Sequence, residues 1–228
     1  LVNISIPNNV TKIGEYAFDG CTSLTDMTIP DSVTEIGFRA FNECSNLTSV
    51  TIGNSVPFIG YKAFENCSNL ENVYIFDLEA WCNIEFESSA NPLSNGANLY
   101  LNGNLVKDLV IPDSVSEIRG AFSGCSSLES VIIPDGKTST GTFSDCSNLT
   151  RVTIPDSVTE ISGCAFEGCS SLTSVTIPDS VTNIAAYAFS GCSSLTSITI
   201  PDSVTEIYAY AFSGCSSLKK LSFGSQLK

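Results

Sequence analysis

Apolar residues return along this chain in a fixed word, L-x-x-L-x-L, most often followed by proline. The word stands as Leu24, Met27, Ile29, then as Leu47, Val50, Ile52, and lastly as Leu218, Leu221, Phe223. Ten copies occur, counting Leu1, Ile4, Ile6 at the start and the copy at Val106, Leu109, Ile111. Inside each word apolar residues alternate with Ser, Thr or a charged residue, the pattern of a half-buried β-strand. Val, Ile and Thr suit such a pleated surface. Proline at positions 7, 30, 112, 134, 155, 178 and 201 ends the strand, because it has no N–H for a ladder. "PDS" is turn chemistry. "VTEI" then offers a short second extended piece, and "AFxGC" predicts a helical or 3₁₀ turn leading back to the next strand.

Cys21, Cys44 and Cys67 lie 23 residues apart, as do Cys146, Cys169, Cys192 and Cys215. A unit this short cannot bury its apolar side alone, so copies must stack into one continuous core. A repeat of roughly 20 to roughly 29 residues with this core marks a leucine-rich-repeat solenoid. The predicted fold is therefore of the α/β-type repeat class, with mostly short β-strands in one parallel curved sheet. Turns and short 3₁₀ or helical segments lie on the other side. About ten strands at a 23-residue period are expected, in a single solenoid over residues 1–228.

One stretch breaks the period. Ile75 and Ile111 are 36 residues apart, 13 more than a normal unit. Residues 76–105 are expected to form an irregular repeat with a short helix in "DLEAWCNIEF", capped by Asp77. "LYLNGNLV" predicts a β-hairpin with a type I′ turn at Asn102-Gly103 that feeds directly into the next repeat strand. Phe86 stands at the same offset from Ile75 as Phe122 does from Ile111. It is expected to join a phenylalanine spine of residues 18, 41, 64, 122, 143, 166, 189 and 212. The insertion would then bulge out between Glu87 and Leu105. The unit from Ile111 to Ile133 is one residue short of the usual period, and the unit from Ile133 to Ile154 is two short. In the second, "PDGKTSTGTF" lacks the usual Val and Ile. Looser packing is expected there.

Composition narrows the function. The chain has 228 residues, 43% hydrophobic, which argues against disorder. A net charge of −14 with only 10 Lys and Arg argues against nucleic acid and against anionic membrane surfaces. No apolar run is long enough to insert in a membrane. With no histidine and no C-x-x-C, the cysteine column does not read as a metal site. Stacked side chains run parallel, which disfavours disulfides between neighbours. The column thiols are expected to be buried small fillers, reduced and unreactive. Cys82 and Cys164 stand outside it and are candidates for exposed, reactive thiols.

The acids repeat too. Asp31, Asp113, Asp135, Asp156, Asp179 and Asp202 follow the prolines, with Glu35, Glu117, Glu160 and Glu206 as a second series. Between calcium binding and turn-forming Asp with solvated charges, the turn reading is preferred. A glycosidase needs two differently tuned carboxylates across a cleft. Acids that recur with the scaffold mark structure, so no enzyme activity, catalytic residue, cofactor or metal is expected. Five N-x-S/T sequons, at Asn3, Asn9, Asn46, Asn66 and Asn148, read mostly as repeat text. An ice-binding threonine ladder is argued against by Tyr74, Ile132 and Arg151, which interrupt the array.

Those interruptions are the candidate site. Most outward strand residues are Ser or Thr, as at Ser49 and Thr51 or Ser174 and Thr176. Asn72 and Tyr74, Asp108 and Val110, and Ser130 and Ile132 are expected on three adjacent strands, as a mixed aromatic and apolar patch. The insertion with the only tryptophan, Trp81, lies beside it. The candidate partner-binding residues are Asn72, Tyr74, Trp81, Val110, Ser130, Ile132 and Arg151. The structural alternative for Trp81 is that it packs the insertion onto the solenoid.

By these residues the chain is similar to a known family. "IPDSVTEIGxxAFxGCSSLTSVTI" closely resembles the BspA-like leucine-rich repeats of bacterial surface proteins. "WxxIxFxxxxxNPLSNGANLYLNGNLVKDLVIPDSV" resembles an irregular segment recurrent in them. The resemblance covers essentially the whole chain. It implies a secreted or surface-anchored protein, of a type that includes adhesins and host-protein binders, with no shared catalytic residues. The expected function is a non-enzymatic binding or adhesion module, extracellular or at the cell surface, that recognises a protein or glycan. A spacer displaying neighbouring domains is the second reading, and an ancillary domain of a larger enzyme the third. "LVNISIP" and "LSFGSQLK" both read as repeats cut short, whose exposed strand edges offer a route to a dimer.

Overall fold

Two short strands and two tight turns make the regular coil, and coils stack because the same positions turn inward. In the computed structural model, residues 4–223 are described, and the chain divides into two compact units, Leu1–Val106 and Lys107–Lys228. Leu1, the sequon at Asn3 and the end of "LSFGSQLK" lie outside the described residues.

In the first unit the strands are β1 (Ile4–Ser5), β2 (Lys12–Ile13), β3 (Asp26–Ile29), β4 (Glu35–Ile36), β5 (Ser49–Ile52), β6 (Phe58–Ile59) and β7 (Asn72–Ile75). They are followed by α1 (Leu78–Cys82), β8 (Glu85–Phe86), β9 (Asn98–Leu101) and β10 (Asn104–Leu105). One sheet runs β1-β3-β5-β7-β9-β10 and the other β2-β4-β6-β8. All pairs are parallel except the β9–β10 hairpin. Met27, Val50, Val73 and Leu99 form one buried row across the first sheet, and Ile13, Ile36 and Ile59 one across the second. Each fully buried aliphatic side chain of this kind contributes about 1.5–3 kcal/mol.

The "AFxGC" turn is explained by its backbone. Gly20, Gly168, Gly191 and Gly214 hold φ of +66° to +74°, where a Cβ is unwelcome. Phe18, Phe41 and Phe64 stack above one another at 5.1 Å with near-parallel rings, one ring per coil.

The irregular stretch departs from expectation in two ways. Phe86 does not join the phenylalanine column. It pairs with Ile59 in the second sheet, so its slot is that of Ile13 and Ile36. Nor does the hairpin bulge out ahead of the next repeat strand. Its first arm, β9, is itself a repeat strand, pairing with β7 over four residues. Asn102 and Gly103, at φ 51° and 79°, make the turn into β10. The insertion is an additional coil of the stack.

The second unit contains β11 (Asp108–Val110), β12 (Ser130–Ile132), β13 (Arg151–Thr153), β14 (Glu160–Ile161), β15 (Asn183–Ile184), β16 (Ser197–Ile200), β17 (Glu206–Ile207) and β18 (Lys220–Phe223). Its sheets are β11-β12-β13, β14-β15-β17 and β16-β18, all parallel. Phe122, Phe143, Phe166, Phe189 and Phe212 stack in order. The spacing widens to 5.8 and 6.1 Å on either side of Phe143, inside the shortened coils. There the Lys137 ammonium donates to the main-chain oxygens of Asp113, at 2.9 Å, and Val115. It ties this coil to the turn of the coil before it. Residues 174–177, expected as a strand, pair with neither neighbour.

The cysteine column has a second duty. Six of the eight column thiols donate to the phenylalanine carbonyl of the coil before them, and Cys125 contacts the Ser127 hydroxyl instead. Cys44 reaches Phe18 at 3.1 Å, Cys67 reaches Phe41 at 3.2 Å, and Cys169 reaches Phe143 at 3.2 Å. Cys146, Cys192 and Cys215 repeat the contact. All ten cysteines are free thiols.

Candidate functional site

Parallel register lines up the outward residues of the first unit into two rows. One row is Asp26, Ser49, Asn72 and Asn98, and the other is Thr28, Thr51, Tyr74 and Tyr100. The first row is knitted by hydrogen bonds. The Ser49 hydroxyl donates to Asp26 at 2.6 Å, and the Thr25 hydroxyl donates to the other Asp26 oxygen at 2.9 Å. The second row changes from hydroxyls to rings. Tyr74 and Tyr100 stack at 4.9 Å, with 28° between their planes. Leu105, opposite Tyr100 on β10, is 39% exposed. A strip of two tyrosines and a leucine thus closes a row that begins with Thr28 and Thr51.

Trp81 is not on that face. It is 1% exposed, with its ring edge-on to Phe86 at 5.2 Å. Asp77 fixes the helix that carries it, accepting the Glu79 and Ala80 N–H groups at 2.8 and 3.0 Å. Trp81 is an internal anchor for α1, and its burial removes it from the contact surface.

The remaining candidates belong to the second unit. Val110 and Ile132 are register partners, 58% and 44% exposed, and make a small aliphatic pair. Ser130 is 7% exposed and gives its hydroxyl to Asp108. It is occupied within the sheet. Arg151 is exposed, next to Ser130 in register. The three strands expected to be adjacent are not. The neighbour of Asn72–Ile75 is Asn98–Leu101, whereas Asp108–Val110 pairs with Ser130–Ile132. The candidates therefore fall into two sets, one per unit.

Tyr100 was missed by sequence reasoning, although a signal was there. "NLYL" at 98–101 copies the alternation of "NVYI" at 72–75, residue type by residue type. A second aromatic file was also missed. Tyr16, Phe38 and Tyr61 touch in sequence at 5.1 and 5.8 Å, with Arg39 over Phe38 and Lys62 over Tyr61. Its signal is the 23-residue spacing of Phe38 and Tyr61.

Neither off-column cysteine is a ready nucleophile. Cys82 is buried, and burial, followed by the nearby Glu79 and Asp77 charges, pushes its thiol up to about 12. Cys164 is half-buried, and burial and then a hydrogen bond to Glu167 push it up to about 11. Nucleophilic thiols need the opposite shift. Among the described residues no group of three or more Cys, Asp and Glu is placed to hold a metal ion. Asp31 serves the stack instead, accepting the Asn54 N–H of the next coil at 2.7 Å.

The fold and face define a class: a parallel leucine-rich solenoid whose repeated residues maintain the stack. The profile of the BspA type leucine rich repeat region (6 copies) matches residues 1–95, 94–142 and 136–228. The chain belongs to that family. No catalytic family is indicated. Among solved structures it is similar to a leucine rich cell surface protein from Faecalibacterium prausnitzii, at 29% identity and a TM-score of 0.60. That match covers 95% of this chain and 70% of the other. A leucine-rich repeat protein from Eubacterium ventriosum (19% identity, 96% and 83% covered, TM-score 0.51) shares the fold. So does the pneumococcal vaccine antigen PcpA (19%, 94% and 73%, 0.52). No curated protein matches the chain. No helix among the described residues is long and apolar enough to cross a membrane.

Proposed function

We propose that the chain is a non-enzymatic binding module of an extracellular or surface-attached bacterial protein, recognising a protein or glycan through its first sheet face. The observation that carries this is the Tyr74–Tyr100 stack, which continues a row of Thr28 and Thr51 on a polar face and is flanked by Leu105 and Asn72. Tyrosines present a large amphipathic surface at low entropic cost, which is why they are favoured as binding anchors. Repetition sharpens the point. Two rings in consecutive coils replace the Thr that holds the same place in the two coils before them. The similarity to a cell surface protein supports the location.

The test uses the purified chain on a glycan array and a panel of purified extracellular glycoproteins. Tyr74→Thr with Tyr100→Thr restores the ordinary outward residue and should abolish binding, while the melting temperature stays within a few degrees. Val110→Thr with Ile132→Thr should leave that binding intact. If every interaction survives the tyrosine variant, the chain is better understood as a spacer that displays neighbouring domains.

A further inference from the structure

Residues 49–52 and residues 174–177 are the same four residues, Ser-Val-Thr-Ile. In the first unit they form β5, paired with β3 on one side and β7 on the other. In the second unit they pair with nothing: β13 pairs only with β12, and β16 only with β18. Intrinsic propensity is identical in the two copies, so surroundings make the difference. The coils ending at Ile133 and Ile154 are shorter than the usual period, whereas those ending at Ile177 and Ile200 keep it.

The opening is local. The same coil remains stitched through its second strand, where β15 pairs with β14 and β17. The Thr182 N–H donates to Thr159 O at 2.9 Å, and the Thr205 N–H donates to Thr182 O at 2.8 Å. At the other end the Thr196 N–H reaches Thr173 O at 3.3 Å. Between these closures lies a cleft of about 680 Å³, walled by residues 174–177 and 197–199. Inward Val175 and Ile198 line it together with outward Ser174 and Thr199, so it passes between the strands rather than over them. Asp179, Asp202 and Ser203 stand at its end. The Ser203 hydroxyl oxygen is buried without a hydrogen-bond partner.

We propose that this cleft binds a short extended peptide by strand addition to residues 174–177. An unpaired strand offers alternating N–H and C=O groups, and another extended main chain answers that array in full. A sugar or a compact apolar ligand cannot. About four residues fit a wall of that length, at roughly 3.3 Å per residue. Small and β-branched side chains suit walls of Ser, Thr, Val and Ile. The carboxylates of Asp179 and Asp202 select a Lys or Arg at the adjoining end. This site is independent of the tyrosine strip, and either can fail without the other.

The test is amide-resolved hydrogen exchange on the whole chain, with residues 49–52 as the internal control of identical sequence. The probe is a capped peptide, Leu-Thr-Ser-Val-Thr-Ile-Lys. Free amides at 174–177 should exchange about 100-fold faster than those at 49–52, as an open segment does against a closed one. Saturating peptide should slow exchange at 174–177 and leave 49–52 unchanged. The same peptide with Pro in place of Val should not protect. Asp179→Asn with Asp202→Asn should weaken binding about threefold to tenfold. Equal protection of the two segments in the free protein would overturn the proposal, because the ladder would then be closed. So would absence of protection by the peptide, equal protection by its Pro form, or undiminished affinity in the double Asn variant.

Discussion

The thiol ladder makes a prediction that separates packing from hydrogen bonding. Cys169 is fully buried, and its thiol donates to Phe143 O at 3.2 Å. The same carbonyl accepts the Cys146 N–H at a long 3.4 Å. Cys169→Ala deletes one buried sulfur, comparable to one methylene and the cavity it leaves, at about 1–1.5 kcal/mol. It also strips the carbonyl of its inter-coil donor, for about a further 0.5 kcal/mol, since a thiol is a weak donor. Cys169→Ser loses the apolar burial but keeps a donor, and a hydroxyl bond of this kind contributes about 0.5–1.5 kcal/mol. The expected order of melting temperature is wild type, then Ser, then Ala. Alanine should fall by about 3–8 °C, using roughly 2–4 °C per kcal/mol for a chain of this size. The assay is thermal unfolding by circular dichroism on all three proteins under reducing conditions. If serine melts below alanine, the thiol is only filler and the hydrogen-bond ladder stabilises nothing.

Alkaline pH should unfold the chain through the same column. Burial holds the Cys67 and Cys192 thiols neutral to about 12 and Cys44 to about 11, against an ordinary 9.0. Unfolded thiols release protons earlier, so stability is full below pH 9 and falls between pH 9 and 12, and a urea midpoint unchanged from pH 8 to 10.5 would contradict this. Asp77→Ala should remove the α1 cap at a cost of about 1 kcal/mol, read as increased acrylamide quenching of Trp81 fluorescence at unchanged global fold. Gly53→Ala should cost about 2–3 kcal/mol, because its Cβ would meet Pro30 C at 2.7 Å and Asp31 N at 2.8 Å, both backbone atoms that cannot turn away. A urea midpoint indistinguishable from that of wild type would show that the coils separate freely there.

Local chemistry explains what could be read from the residues. The repeat period, the two strands of the regular coil, the proline stops and the buried Leu, Ile and Phe columns follow from alternation and spacing, which the stack then reinforces. The Asp77 cap is readable because a cap is made within four residues. Register across the irregular stretch is not local. The offset from Ile75 assigns Phe86 to the phenylalanine spine, but pairing with Ile59 places it in the second strand. That choice frees the segment that follows to complete a whole coil ending in Asn98–Leu101. Tyr100 thereby becomes the neighbour of Tyr74, and Val110 is assigned elsewhere. The site was half legible for this reason: which residues break the Ser/Thr rule is a property of the sequence, whereas which of them touch depends on coil count.

The paired and unpaired copies of Ser-Val-Thr-Ile carry the same point further. In a solenoid each coil contributes its own propensity and a term for each interface, so a coil can keep its sequence and lose its neighbours. The shorter coils lie upstream and end at Ile133 and Ile154, while the opened strand closes a coil of the usual length. The rings of the Phe column also widen nearby, from 5.1 Å in the first unit to 6.1 Å between Phe143 and Phe166. Yet the column stays closed to water, with Phe143 and Phe166 fully buried. The turns and second strands can hold the core while the first strand opens, because they make separate hydrogen-bond ladders. A repeat scaffold can therefore open its sheet at one coil at little cost to the rest.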